Sequence, residues 1–174
     1  MKKLLTSLAT AFALLGSHAS AQDVADMSDL EFAHIAYTAD NIDIRYAHLA
    51  LALSTNPDIH EFANTMIRDH TAVNAAALAL LEKLGASAQD NAVSQTLNAN
   101  AEEIINGFVQ LRGAEFDKAY AANELAYHQA VNALVEDTMI PNIDNAEVKA
   151  LFEEGLQIFK AHETHAEMMV KALQ

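Results

Sequence analysis

The chain has 174 residues, with 24 acidic side chains against 10 basic ones, a formal charge of −14 and no cysteine. So acidic a protein does not seek nucleic acid or anionic lipid and can attract cations. Without cysteine there is no disulfide, thiolate metal site or thiol nucleophile.

The N-terminus reads as a secretory signal peptide. Lys2 and Lys3 form a short basic segment, an apolar run follows from Leu4 to Gly16, and Ala19 and Ala21 supply a small-residue cleavage site. The run is too short to span a bilayer comfortably, and no cysteine follows it to carry a lipid. The expectation is an exported, periplasmic protein. It has a signal peptide over residues 1–21 and one domain over 22–174, with no transmembrane segment in the mature chain. Cleavage removes two lysines and no acid, so the mature chain is more acidic still.

Scarce glycine and proline beside abundant alanine favour helix throughout. The first helix is predicted from about Ser28, an N-cap, to about Ser54. Its expected inner face carries Leu30, Tyr37, Asn41, Ile44, His48 and Leu51. Asn56-Pro57 marks a turn, with proline suited to the first helical position. The second helix runs to about Leu84 and stops at Gly85, with Ile59, Phe62, Met66, His70, Val73 and Leu80 inward. Residues 86–100 are small and polar and read as a linker. A short helix is expected over about Asn100 to Leu111. A long one follows from about Ala114 to Met139, with a break at Pro141-Asn142. The last runs from about Asp144 to Ala172, with Leu151, Ile158, His162, His165 and Met169 on one stripe. No segment alternates with period two, so no strand is expected.

Four long helices and one short one define the topology. The stretch from Gly85 to Arg112 is far longer than the loop two antiparallel neighbours need. The expected fold is therefore all-α: a ferritin-like four-helix bundle with a short extra helix in its one long crossover. A plain up-down bundle is the alternative.

Eight histidines are present, and His18 lies in the signal peptide. A single histidine on an apolar stripe is most often a hydrogen-bonded structural residue. The group is what points elsewhere. In the crossover topology His48, His70, His128, His162 and His165 come from all four long helices. At about 1.5 Å per residue they fall within a slab of roughly 12 Å. Asp43, Asp69, Asp117, Glu124, Met66, Met168 and Met169 lie near the same level. Imidazole is the commonest protein metal ligand, and bundle cores commonly house such sites. The five histidines are therefore the candidate metal ligands. No glutamate precedes His70, His128 or His165 by three residues, so the full carboxylate-bridged di-iron pattern is missing. The layer reads as histidine-rich and carboxylate-poor, which favours copper, with zinc or iron as alternatives. There is no serine-centred motif, phosphate loop or nucleotide fingerprint, so the chain reads as a binding protein rather than an enzyme.

Three stretches carry a family resemblance: Phe62-Ala63-x-x-Met66-x-x-Asp69-His70-Thr71, then Gly113-x-x-Phe116-Asp117-x-x-Tyr120 with His128 beyond it, then His165-Ala166-Glu167-Met168-Met169. Together and in this order they resemble the bacterial exported family called domain of unknown function 4142. That family is classed as ferritin-like and often labelled predicted outer membrane protein. The resemblance covers nearly the whole mature chain and implies a ferritin-like fold and export. Asp43 stands where the family usually has glutamate, and His48 and His162 lie outside its pattern. An integral outer-membrane barrel would need alternating strands, which this sequence lacks.

Three functions remain open at this point. One is a periplasmic metal-binding protein for storage, buffering or delivery. Another is a metal-free structural or stress-related bundle that binds a protein partner or a second copy of itself. The third is a ferritin-like oxidase. Whichever holds, the export signal has a direct test: mass spectrometry of protein from the periplasm should find the N-terminus at or near Gln22. Mostly intact Met1 would refute it.

Overall fold

The computed structural model describes residues 24–174. The signal peptide expected over residues 1–21 lies outside the described residues. A single 3-10 turn, Val24–Asp26, leads into α1, Asp29–Leu53. Ser28 starts this helix with a reciprocal cap. Its hydroxyl accepts from the Glu31 amide at 3.3 Å, and the Glu31 carboxylate accepts from the Ser28 amide at 2.9 Å.

The turn into α2, Pro57–Lys83, is closed by Asn56, whose side chain accepts from the Asp58 amide at 2.9 Å. Gly85 ends α2 in the left-handed region, with φ at 62°. The Ala86 amide then reaches the Leu81 carbonyl, and the Gly85 amide reaches that of Glu82. This double bond pattern satisfies carbonyls the helix end would otherwise leave bare.

α3 spans Ala92–Phe108, beginning well before the expected Asn100. Asn91 caps it, accepting from the Ser94 amide at 3.0 Å. Val93, Leu97, Ala101, Ile104 and Phe108 form its inner stripe. Small and polar neighbours hide that period in the sequence. α3 lies along α1 and runs the same way: His34 bonds Ser94 at 2.8 Å, Arg45 pairs with Glu102, and Tyr46 meets Phe108 with ring centroids 5.9 Å apart.

α4, Gly113–Leu134, runs back antiparallel to α1. Ser54 bonds Asp117 at one end, and the Tyr127 hydroxyl donates to the Ala39 carbonyl in the middle. It does not break at Pro141. It passes through a π-helical turn, Val135–Met139, into a helical turn over Ile140–Asn142. In the π turn the Ile140 amide bonds the Val135 carbonyl five residues back. α5, Ala146–Ala172, is capped by Asn145. The Asp29 carboxylate ties its start to the start of α1 by accepting from the Asp144 and Asn145 amides.

α1 is thus antiparallel to both α2 and α4, so α2 and α4 are parallel. Phe62 meets Tyr120 and His70 meets His128 in the same order along both. The α2-to-α4 connection crosses the whole bundle, with α3 inside it. This is the ferritin-like connectivity of one long crossover. Among the described residues there is no strand, and no helix is long and apolar enough to cross a membrane.

The core has two apolar clusters. One gathers Tyr46, Phe62, Met66, Phe108, Phe116 and Tyr120; the other gathers Phe32, Ile35, Val135, Met139, Phe152 and Leu156. Every long helix passes from one cluster to the other, and each carries a buried polar or charged residue between them. The face expected for α1 is corrected here. Its buried side is Phe32, Ile35, Ala39, Ile42, Tyr46 and Ala50, while His48 is exposed. α1 is apolar nearly all round, and the phase is decided by Asp40 and Asp43, acids that point inward. On α5 the expected stripe also shifts, leaving Ile158 exposed and burying Phe159.

The two glycines at the helix ends give a test of this geometry. Gly85→Ala forces a side chain into the left-handed region and should cost about 1–2 kcal/mol in thermal or denaturant unfolding. Gly107→Ala meets no atom within 4 Å of the new Cβ and has ordinary helical φ, so it should not destabilise.

Candidate metal centre

Asp40 and Asp43 are three residues apart on α1 and therefore share a face. α2 brings His70 to them, α4 brings Glu124 and His128 from adjacent turns, and α5 brings His162. All six side chains are buried, and Asp43 and Glu124 have no accessible surface at all.

Each histidine has one nitrogen committed outward. His70 Nδ1 donates to Asp40 Oδ1 at 2.7 Å. His128 Nδ1 donates to the Glu124 carbonyl at 2.9 Å. His162 Nε2 donates to Asp69 Oδ2 at 3.0 Å, and Asp69 is itself held by the Arg68 guanidinium. The second nitrogens turn to one another. His70 Nε2 lies 2.6 Å from Asp43 Oδ2, an ion pair whose angles fall outside those of a hydrogen bond. His128 Nε2 lies 3.5 Å from the same oxygen. His162 Nδ1 is buried without a partner. The three ring centroids stand 5.3, 5.5 and 5.9 Å apart. One ligand atom from each of His70, His128 and His162 falls within 4.8 Å of the others, and so does one from each of Asp43, Glu124 and His128.

The electrostatics follow from burial and one charge pair. Burial alone would lower the His70 pKa, but Asp43 and Asp40 outweigh it and hold the imidazolium up to about 10. Burial would raise Asp43, yet the positive charge of His70 beside it pulls it below the usual carboxylate range. Glu124 is pushed well up, by burial first and by the negative Asp43 second. Burial lowers His128, and lowers His162 to about 4. Without a metal, the layer favours an imidazolium at His70 beside Asp43, while burial raises Asp40 and biases Glu124, His128 and His162 toward their neutral forms.

That donor set fits a cation. Asp43 Oδ2 faces the His70 imidazolium and Glu124 faces Asp43, but His128 Nε2 and His162 Nδ1 are buried with no hydrogen-bond partner. Unpartnered imidazole nitrogens beside carboxylates in a dry layer call for an explanation, and a bound ion is one that supplies it. The outward bonds to Asp40, Asp69 and a backbone carbonyl are the kind that orient metal-ligating imidazoles.

Of the five histidines singled out in the sequence, His70, His128 and His162 come together. His48 is exposed on the outer side of α1. His165 is half-buried, edge-on to Phe62 at 5.0 Å between ring centroids, and belongs to neither group. The layer is not carboxylate-poor: Asp40, Asp43 and Glu124 are as buried as the histidines. Nor do the methionines join it. Met66 and Met169 pack in the apolar cluster, and Met168 is exposed. The soft-ligand argument for copper loses its footing, and a mixed nitrogen and oxygen set suits zinc or iron. Asp40 escaped the sequence reading. Its one signal was a second acid three residues before Asp43 in an otherwise apolar stretch of helix.

No curated protein and no solved structure matches the chain. A family model described as "Domain of unknown function (DUF4142)" matches residues 14–169, a span that contains every residue of the layer. The chain therefore belongs to that family of helical domains.

Proposed function

We propose that the protein is an exported, periplasmic metal-binding bundle that holds a divalent cation through His70, His128 and His162, with Asp43 and Glu124 completing the set, for storage, buffering or delivery. One observation carries the reading: three imidazoles from three helices bring ligand atoms within 4.8 Å of one another, each oriented by a hydrogen bond from one nitrogen, and the second nitrogens of His128 and His162 are buried without a hydrogen-bond partner. The basic and apolar start of the chain supports export. The acidic surface supports cation capture.

A second reading has its own support. His70 between Asp40 and Asp43 is a satisfied ion pair without any metal, so the layer is also consistent with a metal-free polar network. The two differ in linkage. A metal that binds only the folded state raises stability with its concentration, by about 2.7 kcal/mol at 100 times Kd. The metal-stripped protein should melt higher with zinc or ferrous ion. His128→Ala and His162→Ala should lose most of that rise, while His48→Ala and His165→Ala should keep it. Asp69→Asn should weaken binding by about 10–100-fold through His162 orientation alone. No rise in wild type would leave the polar network standing.

The protonated His70 gives a pH signature. Its folded pKa of about 10 lies above the ordinary 6.5. Its stabilisation is therefore complete below about pH 6.5 and is lost as pH climbs toward 10. Melting of metal-free protein across that range should show a progressive decline. A saturated metal-bound sample should not, because the cation replaces the proton between the aspartates. Equal pH slopes for both samples would contradict the exchange.

A further inference from the structure

Between α1, α2 and α5, toward the end of the bundle where α2 finishes, lies a cavity of about 50 Å³. Small residues on three helices create it: Ala33 and Ala36 on α1, Ala77 on α2 and Gly155 on α5. Its outer residues are half-buried, and its inner end is formed by Asp40 and Phe159. These two cover His70. Asp40 bonds its Nδ1, and the Phe159 ring stacks on the imidazole with centroids 4.7 Å apart and planes 16° from parallel. The cavity thus ends one side chain from the candidate centre.

Gly155 is the informative residue. It sits in the interior of α5, where glycine is the poorest helix former after proline. Nothing in the packing requires it. A Cβ there would meet Phe159 at 3.6 Å and Val73 at 3.9 Å, ordinary van der Waals contacts. The missing side chain leaves room in the cavity instead. A second sign comes from Asn74, which lines the same space, is 7% exposed and leaves its Oδ1 without a partner. One hydrogen-bond donor on an occupant would satisfy it. The other walls are mostly alkyl and aromatic, so a hydrated ion entering here would lose its water without replacement. A single water needs about 10–15 Å³, so the space takes a molecule of a few heavy atoms.

We propose that this cavity admits a small neutral molecule, apolar apart from at most one hydrogen-bond donor, to the His70 side of the metal centre, and that Gly155 keeps it open. The proposal rests on the metal reading for its destination and on the cavity alone for its occupant, and two probes separate them. Xenon reports the cavity. Carbon monoxide, which binds a ferrous ion without changing its oxidation state, reports access to the centre. Gly155→Leu fills the space from α5, and Ala77→Leu fills it from α2 if the first variant does not fold.

Crystals of the wild type under xenon pressure should show xenon beside Gly155, and the filled variant should show none. With ferrous ion loaded anaerobically and to the same content, carbon monoxide recombination after photolysis should slow at least tenfold in the filled variant. Bound iron with no xenon in the wild type overturns the cavity as a ligand site. Unchanged recombination in a variant that excludes xenon overturns it as a passage. Xenon in the cavity of a protein that binds no metal overturns the metal reading, and with it the passage, while leaving the ligand site.

Discussion

The bundle is organised around the His70 imidazole held between Asp40 and Asp43. Two carboxylates with almost no contact with water stand one helical turn apart, and each costs several kcal/mol to bury. Removing His70 would leave both uncompensated. The contact therefore fixes how α2 lies against α1: only one register brings a single imidazole to both acids at 2.7 and 2.6 Å. Glu124 is pushed toward its neutral form by burial first and by the neighbouring Asp43 charge second. His128, 3.5 Å from Asp43, is kept from protonating by burial. Burial and one charged pair together set the protonation of the layer.

Stability does not account for keeping such a layer. Well-packed apolar residues of similar volume are often equal or better in place of buried ion pairs. Two apolar clusters flank it, each built from several helices. The clusters also exclude water. Electrostatic interactions within the layer are correspondingly stronger than they would be at the surface. A dry slab of nitrogen and carboxylate donors between two greasy ones is a poor staple and a good place to hold an ion.

The boundaries of the fold were legible because they are written in local chemistry. Ser28, Asn56-Pro57 and Gly85 mark ends through caps and left-handed backbone, which depend on neighbours in sequence. The crossover was legible from chain length alone. The phase of α1 was not. Its residues are apolar on nearly every side, so the expected face took in His48 and left out Asp40 and Asp43, the two acids the structure buries. An acid turns inward where it meets a histidine from another helix, a fact no single helix records. His162 and His165 pose the same problem: three residues apart, they share a stripe, yet only His162 reaches Asp69 and the layer. The first half of α3 was hidden because its inward positions are spread among polar and small neighbours.

The donor count bears on what kind of metal site this would be. A structural zinc is closed by four ligands and usually folds the protein around itself. Here one ligand atom from each of three imidazoles and one from each of two carboxylates gather in overlapping groups. With His70 and Glu124 deprotonated, that set would offer five side chains, more than a tetrahedral ion needs. The surrounding clusters form an apolar core on either side of the layer. Asp69, a partly exposed acid bonded to His162, ties that imidazole to the surface and would give a cation a polar approach. The apolar cavity lies behind Phe159 along the same two helices, α2 and α5, so a cation and a neutral molecule would reach the layer from neighbouring points of one seam.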